Sequence, residues 1–357
     1  MPALKTTNAP ALPTETLRSA EDLARAGLID AADVPAVRAV ARRYAIAVTP
    51  AVTEAMMAAP TSAIARQYLP SADELVIAGE ELLDPIGDDA HAPIKGIVHR
   101  YPDRVLLKPM HACAVYCRFC FRRESVGPGG DALNDAELDA ALDYIRNDTN
   151  IWEVILSGGD PLLLSPRRLK AIIGELARMD HVGVIRIHTR LPVADPGRVT
   201  PELVAALKCA KAVYVVVHCN HADELTAPAR AACARLVDAG LPMLAQTVLL
   251  KGINDDAEVM ERLLRDLTSA RIKPYYLHHP DLARGTGHFR TTLARGRALL
   301  RRLRGRLSGL AQPTYVLDIP GGHGKVPIGP DYLSRAPDGG WVVRDPAGRN
   351  HPYPPRR

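Results

Sequence analysis

"EVILSGGDPLLLSPRRLKAIIGELARM", residues 153–179, contains one full unit of a design that recurs along the chain. A short run of Val, Ile and Leu reads as a buried strand. The turn residues Ser-Gly-Gly-Asp-Pro end it, and a helical pattern follows. The same alternation continues on both sides. Strands are expected at 104–110, 153–159, 183–190, 212–220, 242–252, 273–279 and 314–319. Helical stretches lie between them at 135–147, 166–179, 201–210, 228–240, 257–270 and 293–307. After a longer first interval, most strands start about 30 residues after the one before, the period of βα units on a parallel sheet. Six units and a final strand predict an α/β fold, a partial or nearly closed (β/α) barrel.

The rest of the chain frames this repeat. Residues 1–95 are expected to form an N-terminal helical region, 96–335 the barrel-like domain and 336–357 a short C-terminal extension. Residues 1 to about 20 read as loosely attached. Thr16 followed by Ser19, and Ser19 followed by Asp22, are capping-type helix starts. In the tail, "GWVVRDPAGRNHPYPPRR" has the pattern of a short strand pair and a loose end.

Composition narrows the function classes. Of 357 residues, 47% are hydrophobic and 24% charged, as in a globular protein, and the net charge of +5 is too balanced to imply nucleic acid. The basic run 295–306 reads as an amphipathic helix with a solvated face. The N-terminus lacks the apolar stretch of a signal peptide, and nowhere are there about 18 consecutive apolar residues, so a cytoplasmic protein without a membrane anchor is expected. Six cysteines in so long a chain do not suggest a disulfide scaffold.

In a barrel of this type, chemistry belongs at the C-terminal strand ends. Polar clusters fall there: "HACAVYCRFCFRRESVG" after the first strand, then "SGGDPL", "HTR", "HCNH", "HHPD" and "DIPGGHGK". Cys113, Cys117 and Cys120 form CxxxCxxC. Three thiolates fit a 4Fe–4S cluster with one iron left open for chemistry. The competing interpretation is a three-cysteine zinc site completed by a distant ligand such as His111. Cys209, Cys219 and Cys233 are spread over helices and a strand end and read as small packing residues. Lys325, after a glycine-rich loop, could bind a phosphate or form an aldimine with pyridoxal phosphate; the loop does not match a nucleotide P-loop.

With Phe119 just before its last cysteine, the CxxxCxxC loop resembles the radical S-adenosylmethionine superfamily. "SGGDPL" resembles that family's glycine-rich segment one strand later. Together with "RYPDRVLL", "YCRFCFRR", "VLLKGIND", "YYLHHPDLARGTGHFRT" and "DIPGGHGK", the motifs resemble the lysine 2,3-aminomutase family over residues 95–335.

The resemblance implies an isomerase that moves an amino group from C2 to C3, most simply converting L-lysine to β-lysine. It implies three cofactors: a 4Fe–4S cluster on Cys113, Cys117 and Cys120, S-adenosylmethionine, and pyridoxal 5′-phosphate. Lys325 would be the catalytic lysine carrying the pyridoxal, near Tyr101 and Arg104. Ser157, Gly158, Gly159, Asp160 and Gln246 would contact S-adenosylmethionine. Arg122 would grip the substrate carboxylate, and Asp281 and Asp318 would receive the side-chain ammonium. His218, Asn220 and His221 could line the rim. An electron donor such as flavodoxin or ferredoxin is implied, and a homo-oligomer is compatible. Long clostridial-type members bind zinc through a cysteine-rich tail. No cysteine follows Cys233 here, so that zinc is not expected. His323 departs from the glycine usual in the lysine loop. The alternatives are a lysine aminomutase serving β-lysylation of elongation factor P, a 2,3-aminomutase for another amino acid, or a non-catalytic iron–sulfur redox sensor.

Overall fold

Parallel strands follow one another in chain order across a single sheet of the computed structural model, which describes residues 13–59, 62–127, 129–337 and 339–354. The sheet runs β1 (Ile97–Tyr101), β2 (Arg104–Met110), β3 (Glu153–Gly158), β4 (Val184–Thr189), β5 (Ala212–His218), β6 (Met243–Val248), β7 (Ile272–His278), β8 (Thr314–Asp318) and β9 (Lys325–Pro327). β2 to β8 are parallel, while β1 and β9 close the two edges as antiparallel hairpins. Strands were expected at the seven parallel positions, and each lies within the expected stretch to a residue or so. β1 and β9 were not anticipated. They are short hairpin partners without a run of their own long enough to stand out.

Among the described residues no strand ladder closes the sheet, yet its edges meet. The Tyr101 hydroxyl at the end of β1 accepts a hydrogen bond from the Lys325 N–H on β9, at 2.7 Å. The structure is therefore a partial barrel, joined at the seam by side chain to backbone.

Before the sheet, the N-terminal segment forms α1 (Ala20–Arg25), α2 (Val34–Ala41), α3 (Pro50–Ala58) and α4 (Ala63–Tyr68). Ser19 and Asp22 make the expected capping box, whereas Thr16 caps nothing. The reason is Leu17, which is buried and pairs with Val48, so the chain before α1 is extended. Leu17 and Ala20 are thus packed into the helical region, against the expectation of looseness, while residues 1–12 lie outside the described ones. Between the strands lie α5 (Asp135–Asn147), α6 (Pro166–Ala177), α7 (Leu191–Ala194), α8 (Pro201–Ala206), α9 (Ala227–Asp238), α10 (Ala257–Ser269) and α11 (Leu293–Leu303). The basic run is α11: Leu299, Leu300 and Leu303 are buried, and the arginines pair with Asp255 and Asp331 on neighbouring segments. In the tail, β11 (Trp341–Arg344) and β12 (Asn350–Tyr353) form the expected strand pair, and β10 (Leu333–Arg335) adds a third strand.

α5 shows how local chemistry sets these elements. The Asn134 side chain accepts from the Glu137 N–H at 2.9 Å, and Glu137 returns a bond to the Asn134 N–H at 3.0 Å. Asn134→Ala should cost about 1 kcal/mol, visible as a melting temperature lowered by about 2 °C.

The N-terminal helices also hold the cysteine loop. Their core of Leu23, Val37, Val52 and Ile64 includes Val115 of that loop. Backbone bonds run from Tyr116 N to Ala47 O (3.0 Å) and from Arg118 N to Gln67 O (2.9 Å). Arg118, fully buried, puts Nε and Nη2 on Glu74 at 2.9 and 2.6 Å, and Arg123 reaches the same carboxylate. A buried ion pair of this kind is costly to break, so it fixes the loop's path.

Candidate active site

One cavity of about 790 Å³ is bordered by residues of every strand from β1 to β9, from Arg104, Glu153 and Thr314 at strand starts to Gly158, Thr189, His278 and Asp318 at their C-terminal ends. Cys113, Cys117 and Cys120 form one wall; Tyr101, Tyr276 and Lys325 lie among its other lining residues. The sheet explains which side chains enter. Strand side chains alternate between faces. Arg186 and His188 of β4, Gln246 and Val248 of β6, Tyr276 and His278 of β7, and Thr314, Val316 and Asp318 of β8 accordingly line the cavity.

The glycine pair of β3 brings two rim loops together. Gly159 N–H bonds to Met110 O at 2.8 Å, and Asp160 N–H to Ala112 O at 2.8 Å. A Cβ on Gly159 would stand 2.2 Å from Ala112 O, and Gly158 has φ +98. Only glycine allows this approach of β3 to the cysteine loop.

The three cysteines line the same cavity and lie near enough for their charges to act on one another. Burial pushes all three thiols up, Cys120 to about 11, so a soft cationic centre is what would make them thiolates. Arg190 Nη1 stands 3.4 Å from Cys117 Sγ, and its Nη2 is held by Gln67 (2.7 Å) and Glu224 (2.6 Å).

Lys325 opens β9 directly opposite Asp318 in the hairpin ladder. Cross-strand neighbours of opposite charge attract, and Nζ bonds to the Asp318 carboxylate and to His278 Nδ1 at 3.2 Å. Gly321, Gly322 and Gly324 turn the loop between them at positive φ. Burial works against the Asp318 carboxylate, but the His278 and Lys325 contacts outweigh it and hold it down at about 2. Asp281 goes the other way: burial, reinforced by the charge of Asp318, pushes its carboxyl up to about 7. Arg104 stacks on the Tyr101 ring at 3.8 Å.

Among the described residues that line this cavity, several carry a shielded polar atom without a hydrogen-bond partner: Asp281 Oδ1 and the Nε2 atoms of His188, His218 and His278. Burial lowers the pKa of all three imidazoles, keeping them neutral. His278 Nδ1 lies 3.2 Å from Lys325 Nζ and 3.6 Å from Asp318 Oδ2, which leaves Nε2 as its unpaired nitrogen. Orphaned polar atoms of this kind call for a polar ligand.

Arg122 is not free. Its Nε and Nη2 lie 2.9 and 2.8 Å from Asp88 Oδ2, and Nη1 donates to Ser157 Oγ at 3.2 Å. Asp160 lines the cavity, but its carboxylate is used by the Thr189 hydroxyl and the backbone N–H groups of Arg190 and Leu191. It is thereby tied to the end of β4. Of the "HCNH" residues only His218 lines the cavity; Cys219 faces the core, Asn220 bonds to Val248 N–H and Gln67, and His221 caps the turn 222–224. Cys219 and Cys233 are buried and Cys209 half-buried, as packing residues.

Sequence reasoning did not single out Asp88, His188, His278, Arg186 or Tyr276. For the last four the signal was available as every second residue of a strand; Asp88, in an irregular segment before the sheet, gave none.

A family model of the radical SAM superfamily matches residues 107–264, and one of lysine-2,3-aminomutase matches residues 300–354. The chain is 45% identical over 275 residues to L-lysine 2,3-aminomutase of Fusobacterium nucleatum, covering 77% of this chain and 65% of that protein. It is 38% identical over 327 residues to L-lysine 2,3-aminomutase of Bacillus subtilis, covering 91% and 69%. Glutamate 2,3-aminomutase of Clostridioides difficile is 40% identical over 254 residues, covering 71% and 60%. The chain thus spans 65% to 66% of the length of several of these curated relatives.

Proposed function

This chain belongs to the lysine 2,3-aminomutase family of the radical SAM superfamily, and from that premise we propose that it moves the amino group of L-lysine from C2 to C3, giving β-lysine. The observation that carries the substrate choice is the pair Asp281 and Asp318 on one cavity with Lys325. The residues present fit the three cofactors. Cys113, Cys117 and Cys120 would hold a 4Fe–4S cluster as thiolates, their protons being released to solvent. Lys325 would hold pyridoxal 5′-phosphate, beside Tyr101 and Arg104. Ser157, Gly158, Gly159, Gln246 and the unpartnered imidazoles would meet S-adenosylmethionine.

When bound, the cluster and S-adenosylmethionine supply a carbon-centred radical, and the pyridoxal supplies the π-system through which nitrogen migrates. The chain's own residues do the rest. Arg122 presents a guanidinium fork to the substrate carboxylate. Asp281 and Asp318 face the other end, where an ammonium relieves both the burial of Asp281 and the repulsion between the two acids. In the ligand-free protein Asp318 and His278 hold the Lys325 amine in place. Phe119, Phe121, Val248 and Val316 line the cavity with apolar surface that excludes water from the reacting carbon. A one-electron donor such as flavodoxin or ferredoxin would reduce the cluster.

The test is anaerobic turnover of the reconstituted protein with dithionite, S-adenosylmethionine and either L-lysine or L-glutamate. β-Lysine should form, with kcat/KM for glutamate at least roughly 100-fold lower, because a carboxylate against two acids costs several kcal/mol. Equal or faster glutamate turnover would refute the substrate assignment.

A further inference from the structure

The segment 74–91, before β1, has no long regular element, yet it is pinned to three rim loops. Glu74 pairs with Arg118 and Arg123 of the cysteine loop. Glu81 accepts from Gly285 N–H at 2.8 Å after β7. His91 Nε2 lies 3.0 Å from Gly322 O in the lysine loop. Gly87, at φ +69, packs so closely on that loop that a Cβ would stand 2.4 Å from Gly322 N. Between these anchors Asp88 lines the cavity and is buried. Its Oδ2 takes the Nε and Nη2 edge of Arg122, and its Oδ1 lies 3.3 Å from Arg100 Nη2. Arg100 Nη2 is in turn fixed on Ile86 O at 2.6 Å.

A guanidinium has five N–H donors in one plane. Asp88 uses the Nε–Nη2 edge and Ser157 takes one donor of Nη1. What remains is one N–H on each terminal nitrogen, able to donate to a carboxylate. Asp88 does not compete for that pair; it sets the plane in which the pair points. The anchor that does so also rests on the loop carrying Lys325, so both ends of a bound amino acid are referred to one segment.

Resting on the assignment of Arg122 to the substrate carboxylate, we infer that Asp88 is a positioning residue that orients Arg122 and thereby sets recognition of the amino acid's carboxylate.

The experiment is steady-state kinetics of the reconstituted holoenzyme with L-lysine for Asp88→Asn and Asp88→Glu, alongside inhibition by 1,5-diaminopentane, which lacks the carboxylate. Asp88→Asn should raise KM for lysine about tenfold while kcat changes less than about threefold. The inhibition constant of the diamine should stay within about twofold. Asp88→Glu, which keeps the charge but displaces it, should show a smaller rise in KM, and it carries the test if Asp88→Asn does not fold. An unchanged lysine KM in a folded variant overturns the inference, as does a KM that rises in step with the diamine constant. A wild-type enzyme that does not turn over lysine would defeat the substrate assignment itself, a result distinct from either.

Discussion

Lys325→Ala protein, incubated with pyridoxal phosphate and treated with borohydride, should retain no covalently fixed pyridoxal, and lysine turnover should fall by about 10³-fold or more. The expectation rests on three features of this residue. Lys325 is the one lysine among the described residues that lines the cavity. Its backbone is fixed twice, by the ladder to Asp318 and by the Tyr101 hydroxyl across the barrel seam. Its amine is held by a carboxylate and a neutral imidazole rather than extended into solvent. A lysine on a loose surface loop would have none of these constraints, and its loss would leave pyridoxal binding unchanged. Retention of the borohydride-fixed cofactor in Lys325→Ala would therefore reject the assignment. The same substitution removes the cation from Asp318, whose carboxylate is low in pKa partly because Lys325 is there. A shift of Asp318 titration toward the ordinary carboxylate value should accompany the loss.

The parallel strands were legible because each is a short apolar run of fixed period, and a side chain on one of them is placed by counting alternate residues. Asp281, Asp318 and Lys325 were found by motif, and the structure brings them to one cavity. What the sequence hid is what depends on pairing between distant segments. Lys325 reads as the end of a glycine loop; that it is the cross-strand partner of Asp318 appears only once β9 is paired. Arg122 reads as an open cation; its pairing with Asp88 joins residues that no periodicity links. Asp160 stands in the glycine-rich motif and reads as a cofactor contact, but its carboxylate is turned to Thr189 and the backbone of α7. Arg118 lies inside the cysteine motif itself, and its burial against Glu74 could not be told from a surface arginine.

Asp281→Asn should raise KM for L-lysine by about 30- to 100-fold at pH 8, equivalent to about 2–3 kcal/mol for a charged hydrogen bond lost. The pH profile gives a second, independent sign. Burial, then Asp318, raises the Asp281 pKa to about 7. Below that value Asp281 holds a proton and meets an ammonium without charge. Lysine affinity should therefore improve as pH rises toward about 7, at most tenfold per unit, and then level off while the substrate amine, with a pKa of about 10.4, stays charged. Asp281→Asn should abolish that slope. Stability of the ligand-free protein should move oppositely. A carboxyl whose folded pKa is raised favours the folded state while protonated, and that contribution is lost as pH climbs from the ordinary carboxylate range through about 7. The asparagine variant, with no charge to bury, should melt higher than wild type at pH 8 while binding lysine worse. A buried acid kept for a cationic substrate predicts that combination; a purely structural Asp281 predicts the reverse, lower melting with unchanged KM.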